Sequence, residues 1–146
     1  MTTLHLVRFL HVLSAALWLG AALYWPGDLR RALDAGGVAP TLALRRARSA
    51  LGLDLGAGFA VLLTGGGLAG SLGGGNAVTV WGGLALALVR FVLVFALARP
   101  AVRRASGAAD GGDLARARAA AKGVAAYAGV AHLLWMVSLG LMIFPN

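Results

Sequence analysis

The sequence predicts an all-α membrane protein, a single bundle of four transmembrane helices. Three observations carry this. Of 146 residues, 60% are hydrophobic and 12% charged, with a mean hydropathy of +0.82, too apolar for a soluble domain of this length. The apolar residues fall in four blocks, each near the roughly 20 residues that a bilayer-crossing helix needs. Finally, eleven of the thirteen Lys and Arg lie either between blocks one and two or between blocks three and four.

The first block spans about 4–25 and is stopped by Pro26 and Gly27. The second spans about 43–69; its most apolar part is Ser49–Ala69, entered after Pro40. The third, about 78–98, is closed by Pro100, and the fourth, about 123–144, by Pro145. Proline ends helices because it lacks the N–H and its ring clashes with the preceding turn. The segments 27–42 and 99–122 read as basic loops, with Arg45, Arg46 and Arg48 grouped with the first, whereas GSLGGGNA at 70–77 and both tails carry no charged side chain. The positive-inside rule then places both basic loops in the cytoplasm and both termini outside, in a multi-pass inner-membrane protein. Within the second basic loop, DLARARAAAK at 113–122 predicts a short helix capped by Asp113 and compatible with anionic headgroups.

Several function classes drop out. The chain has no cysteine, so disulfides, thiolate metal sites and covalent c-type haem attachment are excluded. A net charge of +8 can signal nucleic acid, but here the bases sit in loops without interleaved aromatics, and topology explains them. The N-terminus does not read as a signal peptide, having no basic n-region and an interrupted apolar stretch. GGGLAG at 65–70 matches a dinucleotide fingerprint in letters only, since no strand precedes it. Gly52, Gly56 and Ala60 recur every four residues and predict close packing of another helix.

The first block carries the polar residues of interest. His5, Arg8 and His11 are three apart and fall on one helical face, which Ser14 and Trp18 continue. Such residues are costly in lipid unless they face a partner, a cavity or a cofactor. His132 lies mid-way along the fourth block, within an estimated ~6 Å of the depth of His11. Two inward histidines with aromatic neighbours suit a b-type haem in a bundle. His11 and His132 would ligate iron, Arg8 would pair with a propionate, and Trp18, Tyr127 and Trp135 would line the pocket. The alternative for His11 is a hydrogen bond to a neighbouring helix, and for His5 an interfacial position. Asp54 and Arg90 are expected to form a buried ion pair, either structural or part of a proton or cation relay. Copper bound by His and Met is another alternative, although Met136 and Met142 are isolated.

RFLHVLSAALWLGAALYWP, Arg8 to Pro26, resembles the opening helix of the CopD/HemJ-like membrane proteins. That pattern has a basic residue, a His three later, an aromatic-Gly region and a Tyr-x-Pro exit. Arg8, His11, Trp18, Gly20, Tyr24 and Pro26 fill it. Arg45–Ala69 is similar in its basic entry and Thr-Gly end. The resemblance implies a small helical membrane bundle with His11 as the haem ligand. The HemJ-type branch implies a protoporphyrinogen-oxidase-like activity and the CopD-type branch copper handling. The chain departs from the HemJ-type pattern at Gly82–Ala85, in place of that pattern's Lys after the helix-three Trp, and at Gly27–Leu29, in place of its Arg after the helix-one Pro. The resulting expectation is an integral membrane b-type haem protein with an electron-transfer or porphyrin- or quinol-oxidising role. The alternatives are a copper-handling or transport protein and a cofactor-free structural or accessory subunit. Expected partners are the lipid bilayer, a redox partner or a quinone or porphyrin, and a second copy of the chain, with no nucleic acid.

Overall fold

The computed structural model describes residues 3–36, 39–71 and 77–143, which are helical apart from short turns. The helices are α1 (Thr3–Leu23), α2 (Trp25–Ala35), α3 (Ala39–Ser71), α4 (Ala77–Leu93), α5 (Arg99–Asp110) and α6 (Leu114–Ile143). A π-helical turn, Val94–Ala98, joins α4 to α5. Four runs, Thr3–Ala35, Pro40–Ser71, Val78–Asp110 and Leu114–Leu141, are long and apolar enough to cross a membrane. Only 11–28% of the apolar window in each run is buried inside the protein. An apolar surface of that extent belongs to a multi-pass membrane protein.

The segments expected to be basic loops are helical instead. Pro26 does not close the first helix; the break falls at Tyr24, and Pro26 sits in the first turn of α2. Proline is tolerated there because the first-turn N–H groups have no intrahelical acceptor. Pro100 does not end the third run either. It lies in the first turn of α5, directly after the π turn, where the Arg99 N–H bonds to the Val94 carbonyl. The wider π spacing absorbs the hydrogen bond that Pro100 cannot make. Asp113 does cap a helix, its Oδ1 accepting from the Arg116 N–H at 2.9 Å, but that helix is not short: α6 runs on without a break at Gly123. Residues 72–76 of the Gly-rich turn and the expected stop at Phe144–Pro145 lie outside the described residues.

At 33 residues, α3 is about 50 Å long, well beyond the roughly 30 Å of a hydrocarbon core. Its excess packs with α2, α5 and the start of α6 into a basic head. There α2 turns Trp25, Leu29 and Leu33 inward at i, i+4 spacing, against Leu44, Ala47, Val102, Ala105 and Ala117. Polar bonds tie the head together. Arg118 Nε donates to the Leu33 carbonyl at 2.8 Å and Arg48 Nε to Ser106 Oγ at 2.9 Å. Below the head, α1 lies along α3 and α4 along α6.

The Gly52–Gly56–Ala60 stripe does not mediate packing within the chain. Gly52 and Gly56 are exposed, and a Cβ at either would meet nothing within 4 Å. The face of α3 that turns inward is the neighbouring one, Asp54, Ala57, Gly58, Val61, Thr64 and Gly65, because it carries the polar groups that need partners.

Candidate functional site

The antiparallel pairing of α1 with α3 sets the site. On α1, His11 and Trp18 are two turns apart; on α3, so are Gly58 and Gly65. Trp18 lies on Gly58 and His11 on Gly65. A Cβ at Gly58 would sit 2.8 Å from the indole, and one at Gly65 3.1 Å from His11 Cε1. Glycine is what lets both rings lie against the α3 backbone.

The centre is an ion pair. Arg90 Nη2 donates to Asp54 Oδ1 at 2.8 Å, with both side chains buried. The Arg90 guanidinium lies over the Trp18 ring at 4.1 Å, a cation–π contact. Arg90 Nε and Nη1 are buried and have no hydrogen-bond partner among the described residues. Trp18 and His132 are further neighbours of Asp54.

A cavity opens on each side of this pair. The first, about 260 Å³, is lined by His11, Ala15, Trp18, Val61, Arg90, Trp135 and Ser138, among others, and is mostly apolar. Ser138 Oγ donates to the Gly83 carbonyl at 2.8 Å, fixing α6 to α4. The second, about 20 Å³, is lined by Asp54, Arg90, His132, Tyr127, Trp25 and neighbours; it has room for about one water-sized group. His132 Nε2 is buried there without a hydrogen-bond partner among the described residues.

The tautomer of a neutral His11 follows from its partner. Thr64 Oγ donates to the Ala60 carbonyl at 2.6 Å and lies 2.9 Å from His11 Nδ1. A hydroxyl has one hydrogen, so Thr64 gives it to Ala60 and accepts from His11 Nδ1–H. Nε2 is then the lone-pair nitrogen of the neutral ring.

His11, Trp18 and Trp135 thus share the larger cavity, and His132 and Tyr127 share the smaller. His11 meets α3 at Thr64 and His132 neighbours Asp54, ten residues and about 15 Å along the helix. The two histidines face different cavities rather than one shared slot. Arg8 is exposed and lines neither cavity. Among the described residues no three His, Cys, Asp or Glu side chains cluster as a metal-binding group. Gly58 and Ser138 are not singled out by the sequence, and Thr64 and Gly65 enter it as the Thr-Gly end of the CopD/HemJ-like pattern; the matching seven-residue spacings of His11–Trp18 and Gly58–Gly65 were the available signal. Compared with protein-family models, curated proteins and solved structures, the chain matches none.

Proposed function

We propose that this is a multi-pass inner-membrane protein that binds a neutral, planar, oxygen-bearing ring of the quinone or quinol type in the His11 cavity. The observation that carries the reading is the polar content of one apolar cavity: the His11 imidazole, tied to Thr64 through Nδ1, and the buried Arg90 guanidinium, whose Nε and Nη1 have no hydrogen-bond partner among the described residues. Asp54 already balances Arg90, so an anionic ligand would add an uncompensated buried charge. A quinone oxygen accepts from Arg90 without that cost, and a quinol O–H finds an acceptor in His11 Nε2. Trp18 and Trp135 line the cavity with apolar ring surface. The role that fits is electron transfer in the membrane, with porphyrin or quinol oxidation as the reaction class. The CopD/HemJ-like pattern of Arg8–Pro26 points the same way. The basic head would face the cytoplasm and both termini the outside.

The test is a titration of purified protein in nanodiscs with a short-chain ubiquinol, kept reduced, read by tryptophan fluorescence. Saturable quenching is expected. Ala15→Leu, which fills the cavity, should abolish it, and His11→Ala should weaken it about tenfold, the loss of one buried hydrogen bond. Quenching that never saturates, or that survives Ala15→Leu unchanged, would refute the reading.

A second reading keeps haem b, held by His11 alone. It is favoured by the bond from His11 Nδ1–H to Thr64, the kind of outer contact that orients axial histidines. Bound haem would supply one-electron chemistry. It ranks second because about 260 Å³ is already below the ~300 Å³ lower bound for drug-sized ligands, and a tetrapyrrole is larger. A Soret band in the purified protein, lost in His11→Ala and kept in His132→Ala, would put it first. A colourless protein that retains copper through His11 would favour copper handling. One that binds neither cofactor nor quinone would favour an accessory subunit.

A further inference from the structure

Where the head meets the apolar half, a groove of about 810 Å³ runs between α3 and the α4–α5 run. Its chemistry changes along its length. At the head end it is lined by Arg48, Arg99 and Arg103; toward the membrane half it is lined by Phe95 and the exposed Gly52 and Gly56. We infer that this groove is a binding site for an anionic phospholipid, its phosphate held by Arg99 and Arg103 and an acyl chain lying over Gly52 and Gly56.

Four observations support this occupant. Three cations converge at one end of the groove, and Arg103 makes no ion pair among the described residues. Arg48 is already oriented by Ser106 and lies 3.7 Å from Asp110, so it contributes charge rather than a free fork. Arg99 is held over the Phe95 ring at 5.2 Å, which fixes its guanidinium where the basic and apolar stretches of the groove meet. Finally, the floor at Gly52 and Gly56 is empty to 4 Å from any added Cβ, room that a flexible chain can occupy. Basic pockets between transmembrane helices recognise anionic headgroups by this combination of point charge and apolar wall. The π turn forms part of the wall and brings Phe95 and Arg99 to it; such turns recur at functional sites. A soluble anion would use the arginines and leave the apolar length of the groove unoccupied.

The experiment is native mass spectrometry of the whole protein released from nanodiscs containing phosphatidylglycerol and phosphatidylcholine. Phosphatidylglycerol should be retained preferentially. At about fivefold per Arg near the headgroups, Arg99→Gln with Arg103→Gln should weaken retention roughly 25-fold. Gly56→Leu should weaken it too, with every charge in place. Arg30→Gln with Arg31→Gln, an equal loss of charge on the exposed face of α2, should leave it unchanged. Equal retention of the two lipids would overturn the inference. So would an equal loss in the Arg30/Arg31 control, which would mean diffuse charge, or full displacement by millimolar inorganic phosphate with no effect of Gly56→Leu, which would mean a free-anion site.

Discussion

In the head, α2 and α5 turn Leu29, Leu33, Val102 and Ala105 inward and Arg30, Arg31, Arg103 and Arg104 outward. Further along the same bundle the pattern inverts. Asp54, Arg90 and Ser138 are buried, while Phe9, Val12, Phe59, Leu63 and Leu133 are exposed. The difference follows from the surrounding medium. In water the hydrophobic effect drives Leu and Ala together. In lipid, apolar side chains gain nothing by leaving the surface, and association rests on close contact and interhelical polar bonds. Hence the head is held by many small apolar contacts, and the other half by a few specific ones: Trp18 on Gly58, His11 to Thr64, Asp54 to Arg90, Ser138 to Gly83.

The contrast can be broken most sharply at the ion pair. Asp54→Leu or Arg90→Leu alone should destabilise the fold by about 3–5 kcal/mol, because each leaves a buried charge uncompensated. The double Leu variant should be more stable than either single one. A double-mutant cycle in mixed micelles reads this; additive single effects would mean the two side chains do not cooperate.

The head should respond as a water-soluble core does. Leu29, 1% exposed, lies under α3 and α6. Leu29→Ala should cost about 2–5 kcal/mol, through lost transfer energy and a residual cavity. In the apolar half, Leu63→Ala on the exposed face should cost far less, because the leucine contacts the surrounding medium in either state. Equal losses at the two positions, measured by thermal unfolding, would mean that the two halves share one packing logic.

The same division explains what the sequence revealed. Four apolar runs and the placement of basic residues at one end were legible, since mean hydropathy and charge do not depend on packing. So was the Asp54–Arg90 encounter, which depth alone suggested. The head was not, because Pro26, Pro40 and Pro100 read as breaks; yet Trp25, Leu29 and Leu33 recur at helical spacing, and proline in a first turn is no barrier. The two histidines looked level because their depths were counted from uncertain helix ends. Their separation follows from the register in which Trp18 meets Gly58 and His11 meets Gly65, and no single-helix pattern encodes that.

That register can be tested directly. Gly58→Ala places a methyl 2.8 Å from an indole that is 2% exposed and held against Arg90. The ring cannot move aside freely, so about 1–3 kcal/mol of overpacking strain is expected. Gly56→Ala, two residues away on the open face, should be neutral or slightly stabilising through helix propensity. A scan in which both substitutions behave alike would rule out Gly58 as the seat of Trp18.

The smallest effect on stability should carry the largest effect on the site. Thr64→Val keeps the shape of the side chain and removes the oxygen that accepts from His11 Nδ1–H. Interhelical bonds of this kind contribute about 0.6 kcal/mol in a membrane, so the fold should barely change. The ring, however, loses the contact that sets its tautomer, and Nδ1–H and Nε2–H forms should both become populated. Nitrogen-15 chemical shifts of the labelled imidazole distinguish them. Quenching by the quinol in the Thr64→Val protein should weaken together with the loss of the Nδ1–H form, because only that form presents Nε2 as an acceptor to the quinol O–H. A single unchanged tautomer in the variant would show that something other than Thr64 orients His11. The His11–Thr64 contact would then be a packing bond of the membrane half, with no part in preparing the cavity.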